Sequence, residues 1–240
     1  MAANTYNAFV LHRIPYRETS YLVDVFTLEQ GKFRGVAKGV RGSKSDRKSL
    51  LQSFQLLEVT VSGRNELKNI GRIEAKSHSL NLPERTLFCA MYINELMNRV
   101  LPESLPVEEL FLDYQTVLGS LTKLDVRAVE FTSEIETLLR SFEIQLLTTL
   151  GYMPDLAYCS DSGLEISDDC MYEYVGEQGV RQLKSRAQKN SYSGTQLRAI
   201  SQAQWDASSL KAAKSIMRQA LKPLLGEKPL KSRELFSGIR

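Results

Sequence analysis

Positively charged side chains are concentrated in one short segment near the start of the chain. Between residues 32 and 48, seven of seventeen residues are Lys or Arg, and only Asp46 is acidic. The seven are Lys32, Arg34, Lys38, Arg41, Lys44, Arg47 and Lys48. Ammonium and guanidinium groups neutralise phosphate oxygens in contacts that do not depend on base sequence. The segment therefore predicts a surface for a nucleic-acid backbone, although a solvated basic loop would show the same composition.

The first part of this segment has the alternation of a β-strand. Lys32 and Arg34 alternate with Phe33 and Gly35, so a strand would present both charges on one face. From Arg41 onward, Gly and Ser residues predict a loop that extends the positive surface. Aromatic side chains nearby could stack on unpaired bases, or they could fill the core of a small barrel. These are Tyr16, Tyr21, Phe26 and Phe33.

The net charge of +3 hides three blocks of very different charge. Residues 1–80 hold 13 basic and 7 acidic residues, residues 81–180 hold 5 and 18, and residues 181–240 hold 13 and 3. Blocks of like charge of this size indicate what kind of partner a protein binds, and they say little about its fold. Two cationic blocks around an acidic one predict a protein that holds polyanions. The alternative is a structural or regulatory protein whose basic blocks meet RNA or an acidic protein.

The second cationic block includes a basic face on a predicted helix. Its members are spaced three or four residues apart and are Lys211, Lys214, Arg218 and Lys222. Residues at this spacing share one helix face. The face is either a solubilising exterior or a docking site for a nucleic acid or for an acidic, partly apolar peptide.

Residues suited to catalysis or metal binding are sparse. The three cysteines, Cys89, Cys159 and Cys170, form no C-x-x-C pair, and only His12 and His78 could complete a zinc site. The sequence has no P-loop motif and no recognisable nucleophile–histidine signature. Asp168 and Asp169 are adjacent acids in an irregular segment. We therefore expect a binding protein that is not an enzyme and that has neither a cofactor nor a metal.

The bulk properties fit a soluble intracellular protein. The chain has 240 residues, 42% of them hydrophobic, enough for one large domain or two modest ones. The N-terminus lacks the pattern of a signal peptide, and no apolar run is long enough to span a bilayer. An odd number of cysteines is consistent with reduced thiols. We expect a cytoplasmic protein.

The basic segment lies within a part of the chain that reads as β-structure. Runs of β-branched and aromatic residues, separated by turn signals, predict five strands at residues 8–14, 20–27, 32–38, 55–62 and 67–75. Five short strands with one long connection favour a five-stranded OB-fold barrel over residues 1–80. An SH3-like barrel remains an alternative from the pattern alone.

After Pro83 the hydrophobic period becomes helical. Apolar residues predict helices at residues 107–121 and 126–150, the second ending near Gly151. Residues 155–193 read as irregular, with a short hairpin around residues 171–175. Asp206 is a predicted N-cap for a last helix that runs to about residue 225. The expected fold class is thus α+β, with an all-helical domain at residues 81–240 after the barrel.

Several stretches of the chain resemble the RecO family of bacterial DNA repair and recombination mediators. They are AFVLH, ETSYLVDVFT, VAKGVRG, YINEL, LRSFEIQLLTTLGY and LKPLLGEKPLKSRELF. The resemblance implies an N-terminal OB-fold and a helical C-terminal domain. It also implies binding to single- and double-stranded DNA and annealing of complementary strands. With RecR, such a protein would help load RecA onto DNA covered by single-strand-binding protein, and it would be associated with the nucleoid.

The resemblance also implies roles for particular residues. The DNA surface of the family falls on the seven basic residues between 32 and 48. A pocket for the acidic C-terminal tail of single-strand-binding protein would involve Arg140 and Lys189, with Leu146, Leu197 and Met217 as its apolar wall. Zinc-binding members carry four cysteines, of which only Cys159 and Cys170 are present here. The resemblance therefore implies a protein without zinc and without bond-breaking catalysis.

Overall fold

A computed structural model of the chain describes residues 3–41, 47–63, 65–184 and 190–236. The chain divides into two compact units. The first comprises residues 1–123 together with 229–240, and the second comprises residues 124–228. No helix among the described residues is long and apolar enough to cross a membrane.

The first unit contains a closed five-stranded barrel. Its strands are β1 (Asn4–Tyr16), β2 (Ser20–Thr27), β3 (Gly31–Ala37), β4 (Leu57–Ser62) and β5 (Lys68–Ala75). They pair in the order β1-β2-β3-β5-β4, with β4 returning to β1 and with β3 parallel to β5. A five-stranded closed barrel with this excursion is the OB-fold arrangement. The predicted OB-fold is confirmed, and the SH3-like alternative is wrong.

Alternation of inward and outward side chains builds the barrel core. In β4, Leu57, Val59 and Val61 are buried, whereas the residues between them are half-exposed. Side chains that point inward from all five strands form one cluster with Leu51 and Val40 of the connection between β3 and β4. The turn before β3 requires a glycine, because Gly31 has a φ of +73° and a Cβ there would lie 2.0 Å from the Leu105 carbonyl oxygen.

Helices of the first unit cover part of the outer wall of the barrel. A short helix α1 (Arg47–Leu50) precedes β4, and α2 (Glu84–Val100) and α3 (Glu108–Leu121) follow β5. Phe9 and Phe26 point outward from β1 and β2, and their ring centroids lie 5.3 and 5.5 Å from that of Phe111. Tilted aromatic contacts of this kind stabilise a core beyond the area they bury. The barrel wall is therefore also one side of a second apolar layer.

A polar link fixes α2 and α3 to an irregular point of β1. The β1–β2 register shifts between Val10 and His12. The buried Asn94 side chain of α2 donates hydrogen bonds to the carbonyl oxygens of Val10 and Leu11 at 3.3 and 3.2 Å. The Tyr114 hydroxyl of α3 donates to Asn94 Oδ1, and burial raises the pKa of Tyr114. A fully buried polar chain of this kind specifies one docking arrangement.

The second unit is mainly helical. It consists of α4 (Phe131–Thr149), β6 (Met171–Val175), β7 (Gly179–Gln182), β8 (Ser191–Ser193), α5 (Gly194–Ser201) and α6 (Ala207–Leu225). The three strands form a small antiparallel sheet in the order β7-β6-β8. With the barrel, this region gives the predicted α+β class. The hairpin predicted around residues 171–175 is confirmed as β6 and β7.

Helix ends in the second unit follow their local sequence signals. Asp206 accepts a hydrogen bond from the Ser209 amide at 2.6 Å, and the Ser209 hydroxyl accepts one from the Asp206 amide at 2.8 Å. This capping box confirms the predicted start of α6. Gly151, with a φ of +75°, follows the end of α4 as predicted. Residues 126–130 precede α4 and do not belong to it, since residues 124–130 contain no helix.

Candidate nucleic-acid interface

Lys32 and Arg34 lie on the outer face of β3, but both have partners inside the first unit. Lys32 Nζ donates to the Asn98 carbonyl oxygen at 2.9 Å. Arg34 donates from Nε and Nη2 to the two carboxylate oxygens of Asp24, at 2.5 and 2.9 Å. Asn98 also donates to Asp24, at 3.2 Å. The charge of Arg34 is therefore balanced by a buried carboxylate.

The environment of Lys32 disfavours its charge. Burial lowers the pKa of the Lys32 ammonium, and the nearby Arg34 acts in the same direction. Glu103 and Asp24 oppose this effect without cancelling it. The predicted alternation is confirmed, since Phe33 points into the barrel core between these two residues. The alternation does not, however, leave the Lys32 and Arg34 side chains without partners in the protein.

A different group of residues forms an exposed basic and aromatic surface at the turn between β1 and β2. The Arg13 guanidinium carbon lies 5.1 Å from the Tyr21 ring centroid, and that of Arg41 lies 5.9 Å from it. The Arg17 guanidinium carbon lies 5.1 Å from the ring centroid of Tyr16. Both tyrosines are half-exposed. We name these five residues the arginine–tyrosine surface.

Hydrogen bonds to backbone carbonyls hold this surface in place. The Arg41 guanidinium donates to the Arg17 carbonyl oxygen at 2.8 Å, and the Arg41 amide donates to that of Thr19 at 2.9 Å. Arg13 donates to the Lys48 carbonyl oxygen at 2.8 Å. Carbonyl partners orient a guanidinium without neutralising it. The arginines therefore keep their positive charge available to an anion.

Further cations surround a shallow cleft between β3, β5 and α1. The cleft has a volume of about 460 Å³ and is lined in part by Lys38, Arg47 and Arg72, with Val36 and Gly71 among its other wall residues. Arg47 donates to the Gly71 carbonyl oxygen at 2.6 Å. Arg72 forms an ion pair with Glu74. Of the seven predicted DNA-binding residues, Lys38, Arg41, Arg47 and Lys48 thus remain exposed or half-exposed without an acidic partner among the described residues. Lys44 lies outside the described residues.

The aromatic residues separate into two kinds. Phe33 belongs to the barrel core, and Phe26 is fully buried against Phe111, so base stacking by these two residues is excluded. Tyr16 and Tyr21 keep part of their rings exposed. Sequence reasoning missed Arg13 and Arg17. The available signal was the hairpin itself, because pairing of Pro15 with Tyr21 makes Arg13 a diagonal neighbour of Tyr21.

The residues predicted to hold a protein tail lie in the interior of the second unit. The Arg140 side chain is 7% exposed and donates to Glu143 Oε1 at 2.7 Å, and the Glu143 side chain is 3% exposed. Leu146, Leu197 and Met217 are fully buried. Lys189 lies outside the described residues. Their role in binding a tail stays a prediction.

The basic face predicted on α6 is present. Lys211, Arg218 and Lys222 are exposed, whereas Lys214 Nζ lies 2.5 Å from Glu136 Oε1 in an ion pair. Three of the four cations on this face therefore have no acidic partner among the described residues. The face adds a second cationic region, within the second unit.

The cysteines of the second unit make local hydrogen bonds. No group of three potential metal ligands occurs among the described residues. Burial opposes ionisation of the Cys159 thiol, but hydrogen bonds from Ser162 and from the backbone of Asp161, Ser162 and Gln182 outweigh it and lower the thiol pKa. Cys170 Sγ accepts a hydrogen bond from the Gln182 side chain at 3.1 Å.

Family models match both parts of the chain. The model for the N-terminal region of recombination protein O matches residues 1–78, and the model for its C-terminal region matches residues 85–234. The chain belongs to the RecO family. A RecO-family relative from Pseudoalteromonas atlantica, named DNA repair protein RecO, is 47% identical over 236 residues, which cover 98% of this chain and 95% of the relative.

Other RecO-family relatives are similar over the same extent. The protein of this name from Alteromonas mediterranea is 42% identical over 96% of this chain and 95% of its own length. That from Shigella boydii is 44% identical over 95% of this chain and 92% of its own length. The resemblance noted in the sequence thus extends through the barrel and the helical region alike.

Proposed function

We propose that this RecO-family protein is a DNA repair and recombination mediator that binds single- and double-stranded DNA through its barrel. The observation that carries the proposal is the arginine–tyrosine surface. Two half-exposed rings there lie within 6 Å of three guanidinium groups. Cations bind phosphates, and exposed aromatic rings stack on bases that are not paired.

The residues proposed to contact DNA differ in part from those that the sequence singled out. Arg13 and Arg17 join Lys38, Arg41, Arg47 and Lys48, because all six lie at the β1–β2 turn, at the cleft or in the connection that follows β3. Lys44 belongs to the same connection and keeps its proposed role. Lys32 and Arg34 support the fold through Asn98 and Asp24 and contribute little to the affinity for DNA.

The proposed mechanism of annealing is charge neutralisation. Two complementary strands repel each other through their phosphates, and a cationic surface lowers this repulsion while the base edges remain free to pair. The surface does not need a bond-breaking step, a metal or a cofactor. Tyr16 and Tyr21 would hold one strand by stacking on its unpaired bases. Because pairing with the complementary strand competes with this stacking, it would release the strand from the protein.

We also propose the partners that the family resemblance implies. With RecR, the protein would help load RecA onto DNA coated with single-strand-binding protein, whose acidic tail would dock on the second unit. The exposed Lys211, Arg218 and Lys222 support an acidic ligand there, because their charges are not balanced by neighbouring acids. The matching assay is strand annealing on DNA coated with single-strand-binding protein, with and without its tail.

The decisive experiment measures the affinity for single-stranded DNA as a function of salt. Seven contacts predict a slope of log K against log[salt] of about −5, and the triple variant R17A/R41A/K48A is expected to flatten it by about two. The variant R85A/K123A/R127A removes the same total charge elsewhere and should leave the slope unchanged. An equal slope in the wild type and the first variant would contradict the proposed interface.

A further inference from the structure

The second unit contains a cavity of about 540 Å³ that the proposed DNA interface does not use. Its wall is built by the residues after α4, by the segment between β6 and β7, and by one side of α6. This volume lies within the range of sites that accept a peptide side chain or a small ligand. The cavity is therefore large enough to receive part of a partner.

Rigid backbone elements shape this cavity. After α4, the amides of Tyr152 and Met153 both donate to the Leu147 carbonyl oxygen, at 2.8 and 3.1 Å. Pro154 follows directly and, with Pro223 of α6, forms part of the lining. Gly179 begins β7 with a φ of +85°, a backbone conformation that residues with a side chain rarely adopt. These backbone elements define the shape of the cavity in the structure.

Two exposed tyrosines belong to the cavity lining. Tyr152 and Tyr158 are 57% and 47% exposed, and both line the cavity. Neither side chain makes a hydrogen bond or ring contact with another described residue. Tyr174, also in the lining, is buried, and burial together with the nearby Glu177 carboxylate raises its pKa. Two exposed tyrosine rings in the lining of a cavity offer a surface for an apolar or cationic group.

The segments that form most of the cavity wall are acidic. Residues 141–180 contain eight Asp or Glu residues and no Lys or Arg. Two of these acids, Asp155 and Glu177, line the cavity and are exposed. Neither forms an ion pair with any described residue. A nucleic acid or an acidic tail would be repelled here, whereas a cation would be attracted by the carboxylates and by the tyrosine faces.

We propose that this cavity binds an extended basic segment of a partner protein. A Lys or Arg side chain of the segment lies against Tyr152 and Tyr158, and its charge faces Asp155 and Glu177. Neighbouring apolar residues of the segment pack on Pro154 and Pro223. The site is opposite in charge to the DNA interface, so it gives this protein a second, independent class of ligand.

The experiment compares two peptides of the same shape but different charge. Acetyl-Pro-Arg-Leu-amide is titrated into the full-length ¹⁵N-labelled protein, followed by acetyl-Pro-citrulline-Leu-amide as the neutral counterpart. The amide signals of Gly151, Gly163, Gly176 and Gly179 report on the cavity, because all four glycines line it. The arginine peptide should shift these signals with saturation and should bind about tenfold more tightly than the citrulline peptide.

Three variants complete the test. Glu177→Gln removes one carboxylate, Tyr158→Leu keeps apolar area but removes an aromatic face, and each should weaken arginine-peptide binding about fivefold. Glu134→Gln removes an exposed acid of α4 outside the cavity and should change nothing. Equal affinity for both peptides, or equal loss in Glu134→Gln and Glu177→Gln, would overturn the proposal. Salt-dependent DNA binding is measured separately and does not depend on these outcomes.

Discussion

The Arg34 guanidinium forms two hydrogen bonds with the Asp24 carboxylate across the β2–β3 pair, at 2.5 and 2.9 Å. Asp24 is buried, whereas the Arg34 side chain is 48% exposed. Asn98 donates a further hydrogen bond to this carboxylate, and His12 Nδ1 lies 3.8 Å from it. Arg34 makes the two shortest of these contacts and is the main counter-charge of Asp24. A residue that looks like a free DNA-binding cation in the sequence is in this structure the counter-ion of a buried acid.

Replacing Arg34 should affect folding more than DNA binding. Arg34→Ala is expected to lower the free energy of unfolding by about 1 kcal/mol, since the exposed arginine is partly screened by water. Its affinity for single-stranded DNA should change less than twofold, whereas Arg41→Ala should weaken binding about tenfold at low salt. Urea unfolding and fluorescence anisotropy measure the two properties. A larger loss of affinity in Arg34→Ala would place that residue in the interface.

Tyr21 should distinguish single-stranded from double-stranded DNA. Tyr21→Leu removes a ring that can stack on an unpaired base, and stacking contributes about 1–3 kcal/mol per base. We expect at least a fivefold loss of affinity for an oligothymidine and less than a twofold loss for a duplex of the same length. Phe26→Leu is unsuitable as a control because Phe26 is buried; Tyr152→Leu, in the second unit, serves instead.

Gly31 should be one of the least replaceable residues of the barrel. Gly31→Ala places a Cβ 2.0 Å from the Leu105 carbonyl oxygen at a φ of +73°, and we expect a loss of at least 3 kcal/mol, above the roughly 1–3 kcal/mol of backbone strain alone. Gly119→Ala is the matched control, because a Cβ there meets open space within a helix. That change should be neutral or stabilise by up to about 1 kcal/mol. Thermal unfolding of both variants checks the comparison.

The burial of Lys32 should appear in the pH dependence of stability. Because burial lowers the pKa of this ammonium, the unfolded chain binds the proton more readily than the folded chain does. Between the lowered pKa of the folded chain and the ordinary pKa of about 10.4, the free energy of unfolding should therefore increase with pH because of this residue. Lys32→Met removes that contribution, so the stability of the wild type relative to the variant should rise from pH 8 to pH 10.5.

The control for Lys32 is Lys123→Met, the same substitution at an exposed lysine of the first unit. The unfolding free energy of this variant, measured over the same pH range, is the reference for Lys32→Met. The same pH dependence in both variants would show that the burial of Lys32 has no energetic effect on folding.

Arg140 should be needed for folding whether or not it binds a protein tail. Arg140→Ala leaves the nearly buried Glu143 without its guanidinium, and breaking such a pair costs about 3–5 kcal/mol. The double variant R140L/E143L removes both charges and should recover most of that stability. Binding of an acidic tail peptide to the stable double variant then isolates the predicted contact: loss of binding supports it, and retained binding contradicts it.

The barrel could be predicted because each strand has a recognisable pattern in its own sequence. The alternation of Leu57, Val59 and Val61 identifies β4 without reference to any other strand. The start of α6 likewise depends only on Asp206 and on Ser209 three residues later. Such signals are written within a few residues, so a single sequence is enough to read them.

The site was harder to predict because its chemistry depends on contacts between distant residues. Asp24 neutralises Arg34 only because of the β2–β3 register, and Lys32 reaches Asn98 only because α2 packs on the barrel. Phe26 has the composition of a stacking residue, yet Phe111, far along the chain, covers it. Neither a charge count nor a strand pattern reveals which exposed-looking residues already have a partner.

The link from Val10 and Leu11 through Asn94 to Tyr114 has a consequence for synthesis. The five strands leave the ribosome before residues 84–121, so the nascent barrel first meets water with Phe9 and Phe26 uncovered and two carbonyl groups without their amide partner. The outer wall of the barrel is covered only after α2 and α3 have been synthesised and can pack on it. A fragment that ends after β5 would leave this apolar surface exposed and would tend to aggregate. A fragment extended through Lys123 would bury it.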